Sequence, residues 1–217
     1  MLDEAPLECL IQYESLLTGP SSPLEKFLHA GSYVGHDYHM DIIGTRFIRE
    51  MKYDIAARYL KKVSDGYEDR LNTSEYMKFD PFEVKSPTKN LRRYKLKFVT
   101  RMLDYEYIVK NCTDPDVVGE ARIRMGLGIL SSFRYCWPLT HYSKSEYDPW
   151  YDEQYAQDMI VYAQSMIEKG LESLKSQELA ARYYRDLYQW RTAVEKFPET
   201  KVAEEIRSSC DNIVNYR

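Results

Sequence analysis

The chain has 217 residues and a mass of 25.7 kDa, enough for one large or two small domains with an apolar core. Its 30 Lys and Arg stand against 34 Asp and Glu, so the net charge of −4 argues against an overall polycationic nucleic-acid binder. A hydrophobic share of 44% with 29% charged residues argues against disorder, and only 9 Gly and 9 Pro exclude collagen-like and low-complexity classes.

No apolar run approaches the roughly 18 residues needed to cross a bilayer. The opening MLDEAPLECL lacks the basic and apolar stretches of a signal peptide. A cytoplasmic protein is expected if Met1 is the true start, and a periplasmic or envelope protein if a leader has been removed. Cys9, Cys112, Cys136 and Cys210 form no C-x-x-C pair and are expected to be small buried apolar residues.

The helical period dominates, and no strand is predicted. A first helix is predicted over about 4–17, with Leu7, Leu10, Ile11 and Leu17 on one side. Ser22-Pro23-Leu24-Glu25 supplies a cap, a Pro at the first helical position and a capping-box Glu for a short helix over 23–33. Asp37 is the next expected cap. A helix over 38–51 follows, with Ile43, Phe47 and Met51 as its stripe. The next, 53–64, carries Ala56, Tyr59, Leu60 and Val63 at the spacing of one buried face. Asp65-Gly66 stops it.

Residues 66–88 hold Asp80-Pro81 and Ser86-Pro87, but also Tyr67, Tyr76, Met77, Phe79 and Phe82. That is too apolar for a solvated linker, so an ordered loop is expected, and long ordered loops are often functional.

A helix over 90–111 has the stripe Leu91, Tyr94, Phe98, Met102 and Tyr105. Thr113-Asp114-Pro115-Asp116 restarts the chain as a helix over 115–136. Ala121, Met125, Gly128 and Ser132 form one of its faces, and Ile123, Leu127 and Leu130 another. A helix apolar on two sides is central, and its small residues admit a close neighbour. After Pro138 and a connector, Asp148-Pro149 caps a helix over 150–170, expected to bury Tyr155, Met159, Tyr162, Ala163, Met166 and Ile167. A helix over 177–196 follows, and a closing segment over 201–215 carries Val202, Ile206, Cys210 and Ile213.

Segment 37–70 resembles a tetratricopeptide unit. Ile43-Gly44 is followed by Phe47, and Ala56 stands twelve residues after Gly44, the family's spacing for its two small residues. Met40, Met51 and Glu68 depart from the pattern, replacing an aromatic, a turn Gly and a terminal Pro. A degraded unit over 102–135 offers Tyr105, Ile108, Ala121, Met125 and Gly128, and the tail 193–210 resembles the end of one unit and the start of another. The Tyr-rich style is also similar to helical-repeat proteins of the Bacteroidota cell envelope. The resemblance implies an all-α fold: stacked antiparallel hairpins in a right-handed α-α superhelix. It implies one helical-repeat domain over 1–217, with a loop at 66–88 and a capping helix at 201–215.

It also implies a non-catalytic scaffold that binds a protein or peptide on a concave surface, through the first helix of each hairpin. Those positions are Arg46, Arg49 and Glu50, extended to Arg92 and Arg93 in the basic run. That run, Lys85, Lys89, Arg92, Arg93, Lys95, Lys97 and Arg101, contains no acid and suits an acidic peptide tail. The other reading of it is a solvated face balanced by neighbouring acids.

A second candidate is aromatic. Trp137, His141, Tyr142, Tyr147 and Trp150, with Tyr151, suit sugar or peptide recognition, and equally suit packing of the connector. A glycan-binding envelope component is therefore the first alternative. His36, Asp37, His39 and Asp41 read as a capped helix start rather than a metal site. No catalytic or phosphate-binding motif is present, so no cofactor is expected, and an uncharacterised helical enzyme is the remaining alternative.

Overall fold

The structure, a computed structural model, describes residues 5–18, 22–24, 35–67, 77, 79–84, 92–141 and 153–209. Among these it is all-helical, with nine α-helices and no strand. They are α1 (Leu7–Thr18), α2 (His36–Arg49), α3 (Tyr53–Leu60), α4 (Tyr94–Asn111), α5 (Pro115–Arg134), α6 (Glu153–Ser173), α7 (Gln177–Asp186), α8 (Trp190–Lys196) and α9 (Lys201–Ser208), with a 3-10 turn at Trp137–Leu139.

Neighbours in sequence are neighbours in space, across short turns and long connections alike: α2 packs on α1 and α3, α4 on α3 and α5, and α6 on α5. The main core lies among α1 to α6 around Met40, Ile43, Leu60, Phe98, Met102 and Met159. Smaller clusters lie under α5–α7 and under α7–α9.

The starts of the helices follow their caps. Asp114 accepts from the Asp116 amide with Pro115 at the first helical position, Ser176 accepts from Leu179, and Thr200 from Ala203. The start of α2 is different. Gly35, not Asp37, is the cap residue, and Asp37 reaches instead to the Ser64 amide and hydroxyl beyond α3. The same device recurs. Asp116, second in α5, accepts from the amides of Lys175 and Ser176, and Glu178, second in α7, from those of Lys201 and Val202. In each case a carboxylate in a helix's first turn pins a distant chain segment to that helix end.

Two helix pairs cross closely. At Gly44 a side chain would meet Leu60, with the Ala56 carbonyl 3.5 Å away, so the expected Gly44–Ala56 approach is present. The α5–α6 crossing is closer still. A Cβ at Gly126 would stand 2.7 Å from the Ala163 carbonyl, and one at Gly170 would stand 2.7 Å from the Gly119 carbonyl. Gly119, Gly126 and Gly170 thus form a seam on which the two backbones touch.

Gly128, expected at a helix crossing, instead receives a loop side chain, Phe82. The expected helix over 177–196 is two helices. Tyr188 stands at φ 61° between them, and the amides of Tyr188 and Gln189 bond to the carbonyls of Arg185 and Tyr184. That is a Schellman cap with Tyr where Gly is usual, so no Gly or Pro announces the break. Met51, at φ 56°, makes the same turn between α2 and α3 with bonds to Ile48 and Phe47. Residues 25–33 and 210–215, parts of two predicted segments, lie outside the described residues, as does Cys210. Of the other cysteines only Cys136 is buried, whereas Cys9 is exposed and Cys112 intermediate.

Candidate functional site

Of the loop expected over 66–88, residues 68–76, 78 and 85–88 lie outside the described residues, and 79–84 form one turn. Asp80 starts it, Pro81 supplies the fixed φ, the Glu83 amide bonds back to the Asp80 carbonyl, and the Phe82 amide bonds to the Asp80 carboxylate. Phe82 drops into the space left by Gly128 and stacks on Phe98 with ring centroids 5.2 Å apart. Arg101 lies over the outer face of the Phe82 ring at 4.2 Å and holds both Asp80 oxygens, at 2.9 and 2.7 Å. Arg124 of α5 holds Glu83 from the other side. Ring, glycine and two ion pairs fix this turn on the helices.

A cleft opens on each side of it. The first, of about 540 Å³, lies against α4. Phe82, Tyr94, Leu96 and Phe98 give it an apolar floor, and among the described residues its charged lining is Arg93, Lys97 and Arg101 against Asp80. The second, of about 350 Å³, lies against α5 and the α7–α8 turn. Both volumes are in the range of small-ligand sites.

The basic run is divided by the fold. Lys95 is not on a solvated face. It is buried, and its ammonium donates to both oxygens of Asp41 at 2.8 Å, to the Thr45 hydroxyl and to the His141 carbonyl. Arg93, a proposed ligand contact, donates to the carbonyls of Leu60, Lys61 and Val63 and pairs with Asp65, closing the C-terminal end of α3. Cationic groups favour that end of a helix. Arg92 and Lys97 are exposed. Lys85 and Lys89 lie outside the described residues.

The other proposed contacts are largely enclosed. Arg46 and Arg49 are buried and donate to the carbonyls of Ala5 and Thr140, so they tie α2 to its neighbours rather than face a ligand. Glu50 is exposed and pairs with Lys52. Trp137 and His141 meet edge to face at 5.3 Å, and the His141 ring bonds to the Trp137 carbonyl. Tyr142, Tyr147, Trp150 and Tyr151 lie outside the described residues. Tyr162, expected inside, is exposed.

His36, Asp37, His39 and Asp41 do not converge, and no group of three metal-binding side chains occurs among the described residues. His39 is buried and bonds through Nε2 to the Leu10 carbonyl, and burial lowers its pKa. Burial also raises the pKa of Asp41, against the opposing pull of Lys95. The Cys136 thiol is pushed up to about 12 by burial, so it is not a nucleophile at neutral pH.

Sequence reasoning missed the second cleft. Tyr135 and Tyr188 carried no motif, and they meet only because α5 and the α7–α8 turn face the same loop. The available signal was Asp80-Pro81-Phe82, a turn with an aromatic at its tip.

These features define an all-helical protein in which one pinned turn separates two clefts. No helix among the described residues is long and apolar enough to cross a membrane. No protein-family model, curated protein or solved structure matches the chain.

Proposed function

We propose that this is a tetratricopeptide-like helical-repeat module that binds an acidic peptide or protein segment, without catalysis of its own. The repeat reading is supported by two hairpins with matching parts. Gly44, Met51 and Ala56 in α2–α3 correspond to Ala181, Tyr188 and Ala193 in α7–α8, with the same seven- and five-residue intervals. Ala56, Ala181 and Ala193 are all fully enclosed. In this reading α2–α3 and α7–α8 are outer units, and the chain between them holds the loop.

One observation carries the binding reading: among the described residues the cleft against α4 joins an apolar floor to Arg93, Lys97, Arg101 and one acid, with Arg93 also paired to Asp65 outside the cleft. Asp80 is already held by Arg101. A bound segment would place an aromatic or aliphatic anchor over Phe98 and Leu96 and direct carboxylates to Lys97 and Arg101. Charge complementarity of this sort sets orientation and on-rate, and it weakens with salt.

The test is fluorescence anisotropy with a labelled peptide carrying one Phe flanked by Asp and Glu. Saturable binding is expected, weaker at higher salt, and about tenfold weaker in Lys97→Glu. Equal binding of a peptide with Lys in place of every acid would contradict it.

A further inference from the structure

The second cleft, on the other side of the Asp80–Glu83 turn, differs in chemistry from the first. Val84, Leu127, Leu130 and Leu187 give it apolar walls. Among the described residues its charged lining consists of Asp80 and Glu83, both acids. Their partners Arg101 and Arg124 hold them from behind and do not line the cleft. Glu83 binds Arg124 through Oε1, so its second oxygen remains for a ligand.

Three rings crowd the rim. Phe79, Tyr135 and Tyr188 are 39%, 64% and 56% exposed, and all three line this one cleft. Tyr188 holds its place in a left-handed backbone conformation that favours Gly. Met51, in the equivalent turn, packs against the main core, which offsets such strain. The Tyr188 ring packs beside Trp190, with ring centroids 6.1 Å apart, and its outer part remains exposed at the cleft.

We propose that this cleft binds a small organic cation, an ammonium group on an aromatic or alkyl stem. Ring faces attract a cation through their quadrupole, and carboxylates attract it by charge. The apolar walls take the stem. An anion meets two carboxylates, and a neutral ligand forgoes both attractions. This site is separate from the acidic-peptide reading and stands without it.

The experiment titrates the full chain by calorimetry with three probes of nearly one shape: phenethylamine, 2-phenylethanol and phenylacetate. Phenethylamine should saturate a single site and bind at least about tenfold more tightly than the alcohol, with phenylacetate weakest. Tyr188→Ala and Glu83→Gln, both on exposed side chains, should each weaken it about fivefold. Glu83→Gln keeps an oxygen for Arg124, so the turn stays pinned. Glu204→Gln, exposed on α9, should leave it unchanged. Equal affinity for the three probes, no saturation by phenethylamine, or full affinity in both cleft variants would overturn the assignment. So would displacement of phenethylamine by a lysine peptide at lower concentration, since the occupant would then be a protein segment.

Discussion

Helices α2–α4 and helices α5–α6 are both close-packed, but by different means. Around α2 the interior is polar: Asp41 and Lys95 are each 1% exposed, with Thr45, Arg46 and Arg49 beside them. Between α5 and α6 the contact is glycine backbone on glycine backbone. A buried ion pair is fully bonded in one arrangement only, so it specifies geometry at a desolvation cost. A glycine seam maximises contact and tolerates no added atom. The first region should therefore fail when a charge loses its partner, and the second when a methyl is added.

The largest expected effect is in the polar region. Lys95→Met leaves the Asp41 carboxylate buried without its cation and should cost about 3–5 kcal/mol in urea unfolding. Adding Asp41→Leu should recover most of that loss, because both charges are then gone. Failure of the double variant to recover would mean that the pair contributes net stability beyond mutual neutralisation.

In the seam, Gly170→Ala sets a Cβ 2.7 Å from the Gly119 carbonyl and 3.0 Å from the Ile123 amide nitrogen. Both are backbone atoms that can move only with the helix. A loss of about 2–3 kcal/mol is expected despite the gain in helix propensity. Gly44→Ala sharpens the contrast, since its Cβ meets the Leu60 side chain, which can shift. There the propensity gain of about 1 kcal/mol offsets much of the clash, and a loss of about 1 kcal/mol is expected. Equal losses at the two glycines would remove the distinction between the regions.

The smallest effect is on pH. His39 is neutral in the fold because burial depresses its pKa, while the unfolded chain titrates near 6.5. The unfolded state thus binds the extra proton first, and this contribution to stability is present above about pH 6.5 and lost as pH falls below it. His39→Gln should flatten that part of a stability–pH profile measured by urea midpoint. An unchanged slope would place the titration elsewhere.

The helices were legible because their apolar stripes and caps are local. Asp114-Pro115 announces a start that the structure contains. The α7–α8 break was not legible, because a Tyr in a left-handed cap leaves no mark in composition. Nor was the fate of the basic run. Lys95 looks like Lys97 in sequence, and only the distant Asp41 distinguishes them. The seam was half legible: small residues in α5 signalled close approach, but Gly128 serves a loop ring and Gly126 serves the helix. Three residues of the basic run, Arg93, Lys97 and Arg101, line the first cleft, whereas the second needed three elements brought together by tertiary packing.

The account rests on the Asp80–Glu83 turn as a shared wall, seated by Phe82 on Gly128. Gly128→Ala would put a Cβ 2.8 Å from the Phe82 ring and lift that wall, while every charged group that lines the clefts keeps its side chain. Affinity for the acidic Phe peptide and for phenethylamine should be measured together on this variant, with circular dichroism to confirm that the helices persist. A loss of about tenfold or more at both clefts is predicted. Wild-type affinity at both, with Phe82 displaced, would contradict the account.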